Sequence, residues 1–506
     1  MDNLNSLLDG FAAILTPGNL LIALLGVTIG TAVGMLPGLG TAMAIALLLP
    51  ITYGMEPTQA FIMFGGIFYG GMYGGSTTAI LLNTPGQSSS VVTVLEGFKM
   101  ARNGRGGQAL ATAAIGSFVA GTIATIALVF VTPITVQFAI GLGAPEYFAI
   151  MVLALVATAS VLGSSRIRGF ASLLAGLVIG TIGIDAVTGQ QRLTYGVPEL
   201  ASGIDIVIVA VGAFAVGEAL WTAARRKNGK DEIIPVGRVW MGRSDWRRSW
   251  GPWLRGSALG FPFGAVPAGG AEVPTFLSYV TERRLSKHKQ EFGNGAIEGV
   301  AGPEAANNAS AAGTLVPMLA LGLPCNATAA VMLAAFQTYG IQPGPLLFEK
   351  ESALVWTLIA GLFVGNAMLL VLNMPLIPVW VKLLRIPKPY LFAGILFFAT
   401  MGAYATSGQS FELFVLLALG LIGLAMRRFG IPMLPMIVGV ILGPMAERQA
   451  RMALQLSGGE PSGLVGGPVA WTVYGIIALI ALWPLVSLAR RRLTRDRAGD
   501  REAVAA

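Results

Sequence analysis

The sequence predicts an all-α polytopic membrane protein with about 10–12 transmembrane helices. Broken helices or re-entrant hairpins add to these, in two inverted-topology repeats. Three observations carry that expectation. Of 506 residues, 54% are hydrophobic and 11% charged, with a mean hydropathy of +0.72, whereas a soluble domain carries roughly 25% charged residues. Apolar runs of about 20 residues recur from end to end, and no stretch is polar enough for a separate soluble domain. Gly/Pro breaks interrupt these runs in the first half, and similar breaks recur in the second.

No Lys or Arg precedes Lys99, while Asp2, Asp9 and Glu56 are acidic. The N-terminus and the loop near Glu56 are therefore expected outside, so the segment between them must enter and return. A hairpin over 18–50, turning at Pro37-Gly38-Leu39-Gly40, does this. A broken helix over 59–98 then crosses once, interrupted at Asn83-Thr84-Pro85-Gly86, and ends at the cytoplasmic cluster Lys99, Arg102 and Arg105. Four further helices, roughly 107–132, 146–163, 169–186 and 204–222, complete a first repeat over 1–224. Arg166 and Arg168 fall inside; Arg192 falls outside, against the rule. Residues 225–255 hold nine Lys or Arg against three acids and read as a basic cytoplasmic linker. Its Trp240, Trp246, Trp250 and Trp253 suit the membrane interface.

The second repeat spans 256–445, with a hairpin over 256–280, a broken helix over 295–338 and further helices at roughly 353–373, 390–406, 412–426 and 431–445. Gly30, Gly34, Pro37 and Gly40 are matched at the same spacing by Gly260, Gly264, Pro267 and Gly270. The break at Asn83 has a looser counterpart in Gly322-Leu323-Pro324-Cys325-Asn326-Ala327-Thr328. Matched loops carry opposite charge. The loop after the first hairpin has no basic residue, but its counterpart holds Arg283, Arg284, Lys287 and Lys289. The loop after the first broken helix is basic, but its counterpart over 340–351 is net acidic. Loops that change side indicate inverted topology, which places a substrate site near mid-membrane. Residues 446–506 supply an outer loop, a last transmembrane helix and a basic cytoplasmic tail ending in Arg490-Arg491-Arg492. Arg448 and Arg451 fall on the wrong side by the charge rule, and the region 444–467 is expected as an outer loop facing a partner.

Several classes are excluded. The net charge of +8 does not indicate nucleic acid, because the basic residues sit in short clusters between apolar runs. A single cysteine, Cys325, excludes an internal disulfide, and a single histidine, His288, excludes a His/Cys metal site. The start Met-Asp-Asn-Leu-Asn lacks the basic region of a cleaved signal, so the first helix is expected to stay. An intramembrane enzyme would need paired acids, a His-rich metal site or a Ser/His or Ser/Lys pair, and the core regions lack most of these.

Pro37-Gly38-Leu39-Gly40, Asn83-Thr84-Pro85-Gly86, the run from Tyr279 to Lys287, the run from Gly295 to Asn308 and the run from Gly340 to Phe348 together resemble the large permease subunit of the tripartite tricarboxylate transporters. The Gly295–Asn308 run is the most specific of these. The resemblance implies a multi-pass secondary transporter of the bacterial inner membrane. It would import di- or tricarboxylates such as citrate by Na⁺ or H⁺ symport, with no other cofactor. It also implies a small membrane subunit and a periplasmic substrate-binding protein as partners, and leaves open a homodimer of the membrane complex. By analogy with tripartite ATP-independent periplasmic transporters, the two hairpins would belong to a moving elevator domain. The chain departs from the usual pattern at Glu272, just past the second hairpin tip, and at Cys325, in the second break. A carboxylate or anion channel, or a permease for another small organic anion, is the alternative.

A di- or tricarboxylate in the membrane needs its charge balanced, and Gly26 to Ser90 contains no Lys or Arg. Helix N-termini carry about half a positive charge and bind anions without a full one. The candidate substrate site therefore comprises Gly38, Gly40, Thr41, Asn83, Thr84, Pro85, Ser88 and Ser89 from one half. The other half offers Gly269, Gly270, Glu272, Asn307, Asn308, Pro324, Asn326 and Thr328. Ser90 and Ser310 are further hydroxyl donors. Na⁺ would lie near Gly38, Thr41, Asn83, Gly270, Glu272 and Asn308, held by carbonyls freed at the breaks. Interhelical packing is the competing role for any one of these polar residues. Glu272 is the sharpest candidate, because ionisable groups at membrane depth are costly; it would bind Na⁺, carry a proton or select substrates, unless it is simply a solvated acid. Glu304 is a second candidate. Glu218 and Asp205 are expected near helix ends, and His288 in a solvated loop.

Overall fold

A computed structural model describes residues 2–36, 39–161, 165–185, 187–224, 234–237, 239–267, 269–384, 386–480 and 482. Pro37, Gly38, Ala268, much of the basic linker and the Arg490–Arg492 tail lie outside the described residues. Helices dominate the described residues. Its first half runs α1 Asp2–Ile14, α2 Pro17–Met35, α3 Thr41–Thr52, α4 Pro57–Leu82, α5 Val91–Met100, α6 Gly106–Ile140, α7 Ala144–Val161 and α8 Arg166–Gly180. A two-residue β-ribbon follows, Gly183–Ile184 against Gln191–Arg192, and then α9 Ile206–Ala210 and α10 Gly217–Ala224, joined by a π-helical stretch. The second half runs α11 Arg243–Gly264, α12 Glu272–Leu285, α13 Glu298–Leu321, α14 Ala327–Thr338, α15 Leu347–Lys350, α16 Ser352–Asn373, α17 Ile377–Leu383, α18 Lys388–Ser407, α19 Phe411–Phe429 and α20 Leu434–Leu456.

Among the described residues, four helical stretches are long and apolar enough to cross a membrane: Pro17–Met35, Ser88–Ile140, Ile206–Ala224 and Ser352–Asn373. Shorter apolar helices, among them Thr41–Thr52, Ala327–Thr338 and Gly467–Ile480, accompany them. Ser88–Ile140 is not one rod. Gly104 sits at φ 74, a left-handed conformation that glycine adopts without a Cβ clash, and the chain turns there between α5 and α6.

Two helices form the axis of the core. α4 is buried from Ala60 to Leu81, and α13 from Glu298 to Ala320. A helix buried on every side needs apolar or small residues all round, and both are rich in Gly and Ala. Against α4 lies α2, whose Gly26 and Gly30 approach its backbone. A Cβ on Gly26 would stand 2.6 Å from the Met63 carbonyl, and one on Gly30 2.5 Å from that of Ile67. Against α13 lies α11, whose Gly256, Gly260 and Gly264 meet the carbonyls of Gly302, Ala306 and Ser310. Small residues four apart allow this backbone approach in apolar surroundings. The matched glycines of the two halves thus share one physical cause: each lets a hairpin arm press on a central helix. Outer helices expose Phe130, Ile134, Phe138, Leu174, Phe414 and Leu417, as a lipid-facing surface requires.

Two features differ from the sequence expectation. The second hairpin's first arm starts at Arg243, so helix continues through the end of the basic segment 225–255. Trp253 is fully buried, with Trp246 and Trp250 edge-on to it; it fills core rather than lying at the interface, because helical spacing turns it inward. In addition, α20 runs on to Leu456. It brings Arg451 beside Asp185 and Glu447, at 2.8 and 2.6 Å, while Arg192 pairs with the same two acids. The cations Arg192 and Arg451, which the charge rule leaves unexplained, thus meet in one neutralising cluster.

Candidate substrate site where four breaks meet

Each break has a local cause. α2 ends at Met35, and the chain re-enters helix after Gly40, which is extended at φ −83, ψ 160. α4 ends at Asn83 in the left-handed region, φ 54 and ψ 26, which Asn tolerates better than most side chains; Pro85 cannot continue the ladder. α11 and α12 are separated by a turn with Gly270 at φ 51. α13 ends on Gly322 at φ 69, and Asn326 caps α14 by accepting a bond from the Ala329 N–H at 2.8 Å.

The four breaks pair crosswise. The first hairpin tip meets the second helix break through Thr41 Oγ1 and Thr328 Oγ1, 2.6 Å apart and buried. The first helix break meets the second hairpin tip where the Ser88 hydroxyl donates to Glu272 Oε1 at 2.5 Å. Cys325 Sγ lies 3.7 Å from the Ala265 carbonyl, tying the second break to its own hairpin. Gly86 packs so closely that a Cβ there would stand 2.7 Å from the Gly75 Cα. Between them lies a cavity of about 670 Å³, lined by Gly40, Thr41, Gly86, Gln87, Ser88 and Ser89 from one half and by Ala271, Glu272, Asn326, Ala327 and Thr328 from the other. Such a volume lies within the usual range for small-molecule sites.

The N-termini of α3 and α14 both open on this cavity, bringing two partial positive charges and free N–H groups. The full charges on its wall are Glu218, Glu272 and Arg427. Arg427 Nε pairs with Glu218 Oε2 at 2.8 Å, and its side chain keeps half its surface exposed. Arg427, Glu218 and Gln87 were not among the sequence candidates for substrate contact. Arg427 reads in sequence as part of a cytoplasmic cluster, although the Gly430-Ile431-Pro432 break just beyond it is a local signal. The π-helical stretch Val211–Val216 before Glu218 is another irregularity of the kind often found at functional sites.

Seven of the sixteen sequence candidates line the cavity: Gly40, Thr41, Ser88, Ser89, Glu272, Asn326 and Thr328. Asn83 is an exposed helix cap, Thr84 bonds the Leu82 carbonyl, and Pro85, Gly269, Gly270 and Pro324 shape the turns without lining the wall. Asn307 and Asn308 lie inside the packing of α13. Asn307 Nδ2 reaches the Met72 carbonyl at 3.5 Å, and Asn308 Nδ2 donates to Ser117 Oγ at 2.6 Å. Gly38 lies outside the described residues. Of the described residues named for Na⁺, only Thr41 and Glu272 line the cavity. Asp205 caps α9 through the Val207 N–H at 2.7 Å, and His288 is exposed beside Glu291.

A family profile described as "Tripartite tricarboxylate transporter TctA family" matches residues 20–438. An uncharacterized 52.8 kDa protein in the TAR-I ttuC' 3'region of Agrobacterium vitis is 43% identical over 496 residues, covering 97% of this chain and 99% of that protein. An uncharacterized protein in the TAR-II ttuC' 3'region of the same organism is 40% identical over 226 residues, 44% of this chain and 93% of its own length. No solved structure matches. Similarity of this extent, on a helical chain with membrane-spanning apolar helices, places the protein in the tripartite tricarboxylate transporter TctA family.

Proposed function

We propose that this chain is the permease subunit of a binding-protein-dependent secondary transporter of the bacterial inner membrane. It imports a di- or tricarboxylate by symport with Na⁺ or H⁺, and works with a small membrane subunit and a periplasmic substrate-binding protein. The observation that carries this reading is the meeting of four chain breaks, two from each half, around one cavity. Breaks at membrane depth are tolerated where they line a wet cavity, and half-helix N-termini suit anionic groups. One substrate carboxylate sits between the N-termini of α3 and α14, at the Thr41 and Thr328 hydroxyls. Another takes the place of Glu218 on Arg427. The two hairpins with their central helices act as inverted repeats in a moving elevator domain.

The test is uptake of radiolabelled citrate and a panel of dicarboxylates into proteoliposomes. These contain the chain with its small membrane partner, with and without the binding protein, under imposed Na⁺ or proton gradients. Saturable, gradient-driven uptake that needs the binding protein is expected. Passive, unsaturable uptake indifferent to the binding protein would identify a channel and refute the reading.

A further inference from the structure

Away from the cavity, a second polar site lies where α13 packs on α4, α5 and α6. Glu304 is completely buried there. Its Oε2 accepts a hydrogen bond from Ser76 on α4, and its Oε1 accepts one from Thr93 on α5. Among the described residues no Lys, Arg or His forms an ion pair with it. One turn along α13, Asn307 Oδ1 is buried with no hydrogen-bond partner. Met72 and Ser76, one turn apart on α4, face Asn307 and Glu304 in register. Behind Ser76 lies a void of about 10 Å³ that Tyr73 and Thr77 also line, close to the space a single water needs.

An ionised carboxylate buried without a cation costs several kcal/mol even after relaxation, and membrane depth adds to that cost. Glu304 has no neutralising neighbour among the described residues, and its two partners are hydroxyls, which can turn from donor to acceptor. Added charge is therefore most simply removed by a proton from water, bound to a carboxylate oxygen and donated in turn to a hydroxyl that has rotated to accept it. Ionisable groups nearby on the surrounding elements have partners of their own. On α4, the Tyr73 hydroxyl donates to the Ala114 carbonyl. On α5, Glu96 accepts from the Tyr279 hydroxyl and three backbone N–H groups. On α12 and α11, Glu282 pairs with Arg255 at 2.6 Å; α6 and α14 carry no ionisable residue. Ser76 and Thr93 stand on the two arms that flank the first helix break, so any movement of one arm against α13 changes how the Glu304 carboxyl is bonded.

We propose that Glu304 is the proton-carrying site of this chain, loaded when Ser76 and Thr93 close on it and emptied when the arms of the broken helix separate from α13. This rests on the symport reading above and deepens it by naming the proton as coupling ion and the residue that holds it. Infrared difference spectroscopy of the purified membrane complex between acidic and alkaline buffer supplies a readout independent of transport. A protonated-carboxyl C=O band that titrates in the native complex and is absent from E304Q is expected; no band, or a band unchanged in E304Q, overturns the proposal. In proteoliposomes, E304Q is expected to keep exchange of preloaded substrate and to lose about tenfold in accumulation per unit of imposed pH gradient, the gain that one coupled proton supplies. Wild-type accumulation by E304Q, or accumulation by the native chain that answers to Na⁺ but not to pH, overturns it too. Should E304Q fail to fold, S76A and T93V are expected to shift the midpoint of the band, and an unshifted midpoint counts against the proposal. A titrating band without uptake of any carboxylate would refute the substrate reading and leave the proton site standing.

Discussion

Glutamine in place of Glu96 changes no volume, yet the structure predicts a large loss of stability. The carboxyl is completely buried and both oxygens are saturated. Oε1 accepts from the Tyr279 hydroxyl at 2.7 Å and the Gly293 N–H at 2.5 Å; Oε2 accepts from the N–H groups of Gly295 and Ala296 at 2.8 and 3.0 Å. Gly293 and Gly295 sit at φ +89 and +106, conformations that turn successive N–H groups toward one anion, as in a nest. Glutamine keeps one acceptor oxygen and puts an NH₂ against two donors. Hydrogen bonds to a charged group are worth about 1.5–3 kcal/mol each, so losing two costs about 3–6 kcal/mol, against a total stability of about 5–15 kcal/mol for a typical domain. The assay is thermal unfolding of the purified protein in lipid nanodiscs, with hydrogen exchange at Gly293, Gly295 and Ala296. A large drop in midpoint and fast exchange at all three amides are expected. If E96Q matches the wild type in both, then Glu96 does not anchor the loop that leads into α13.

Gly30→Ala is expected to destabilise by about 1–3 kcal/mol, because its Cβ would press on the Ile67 carbonyl; Gly18→Ala, which meets nothing within 4 Å, should be neutral or slightly stabilising, and equal midpoints would refute the close-packing argument. Arg427→Gln is expected to raise the KM for carboxylate uptake by about ten- to a hundredfold, the equivalent of one charge-assisted contact of about 1.5–3 kcal/mol, with kcat little changed; an unchanged KM would remove Arg427 from the substrate site. The Arg248 guanidinium, hydrogen-bonded to Glu291, holds that carboxyl below the ordinary glutamate range. The contribution is therefore fully present above the ordinary carboxylate pKa and is lost as pH falls through the lowered value. Melting scans from neutral to acidic pH should show this slope, and E291Q should flatten it; identical slopes would show that the pair adds nothing to stability.

Much of the fold was legible in sequence because lipid imposes a simple code: apolar length marks helices, and Gly or Pro marks where they break. The helix ends at Met35, Leu82, Gly264 and Leu321 fall close in sequence to Pro37, Pro85, Pro267 and Pro324, although the helix before Pro267 reaches back to Arg243. The crosswise pairing of the breaks, Thr41 with Thr328 and Ser88 with Glu272, was not legible, because no local pattern states which breaks meet. Arg427 and Glu218 were missed for the same reason: each reads as a helix-end residue, and only tertiary packing of α19 against the π-helical stretch brings the pair to the cavity. Asn307 and Asn308 read in sequence as substrate ligands because they are polar. They lie within a helix whose every side is packed, and their amides bond protein rather than the cavity.

Glu96 and Glu304 show how one membrane core treats two buried acids differently. Both lie on the contact between the first broken helix and the approach to α13 or α13 itself, and among the described residues neither has a basic partner. Glu96 is met by three backbone N–H groups, which can donate but never accept. That environment accommodates only an acceptor, and it holds the loop before α13 against the end of α5. Glu304 is met by two side-chain hydroxyls and, among the described residues, by no backbone donor. Each hydroxyl can donate to a carboxylate or accept from a carboxylic acid, so both states of Glu304 find partners without moving the backbone. The difference in donor type, fixed against reversible, separates a structural anchor from a site that can load and unload. It also explains why the two should respond oppositely to the same chemical change. Glutamine at position 96 introduces donors where only acceptors fit. Glutamine at position 304 offers one acceptor and one donor to two hydroxyls that can serve either, and so is expected to spare the fold while removing the proton.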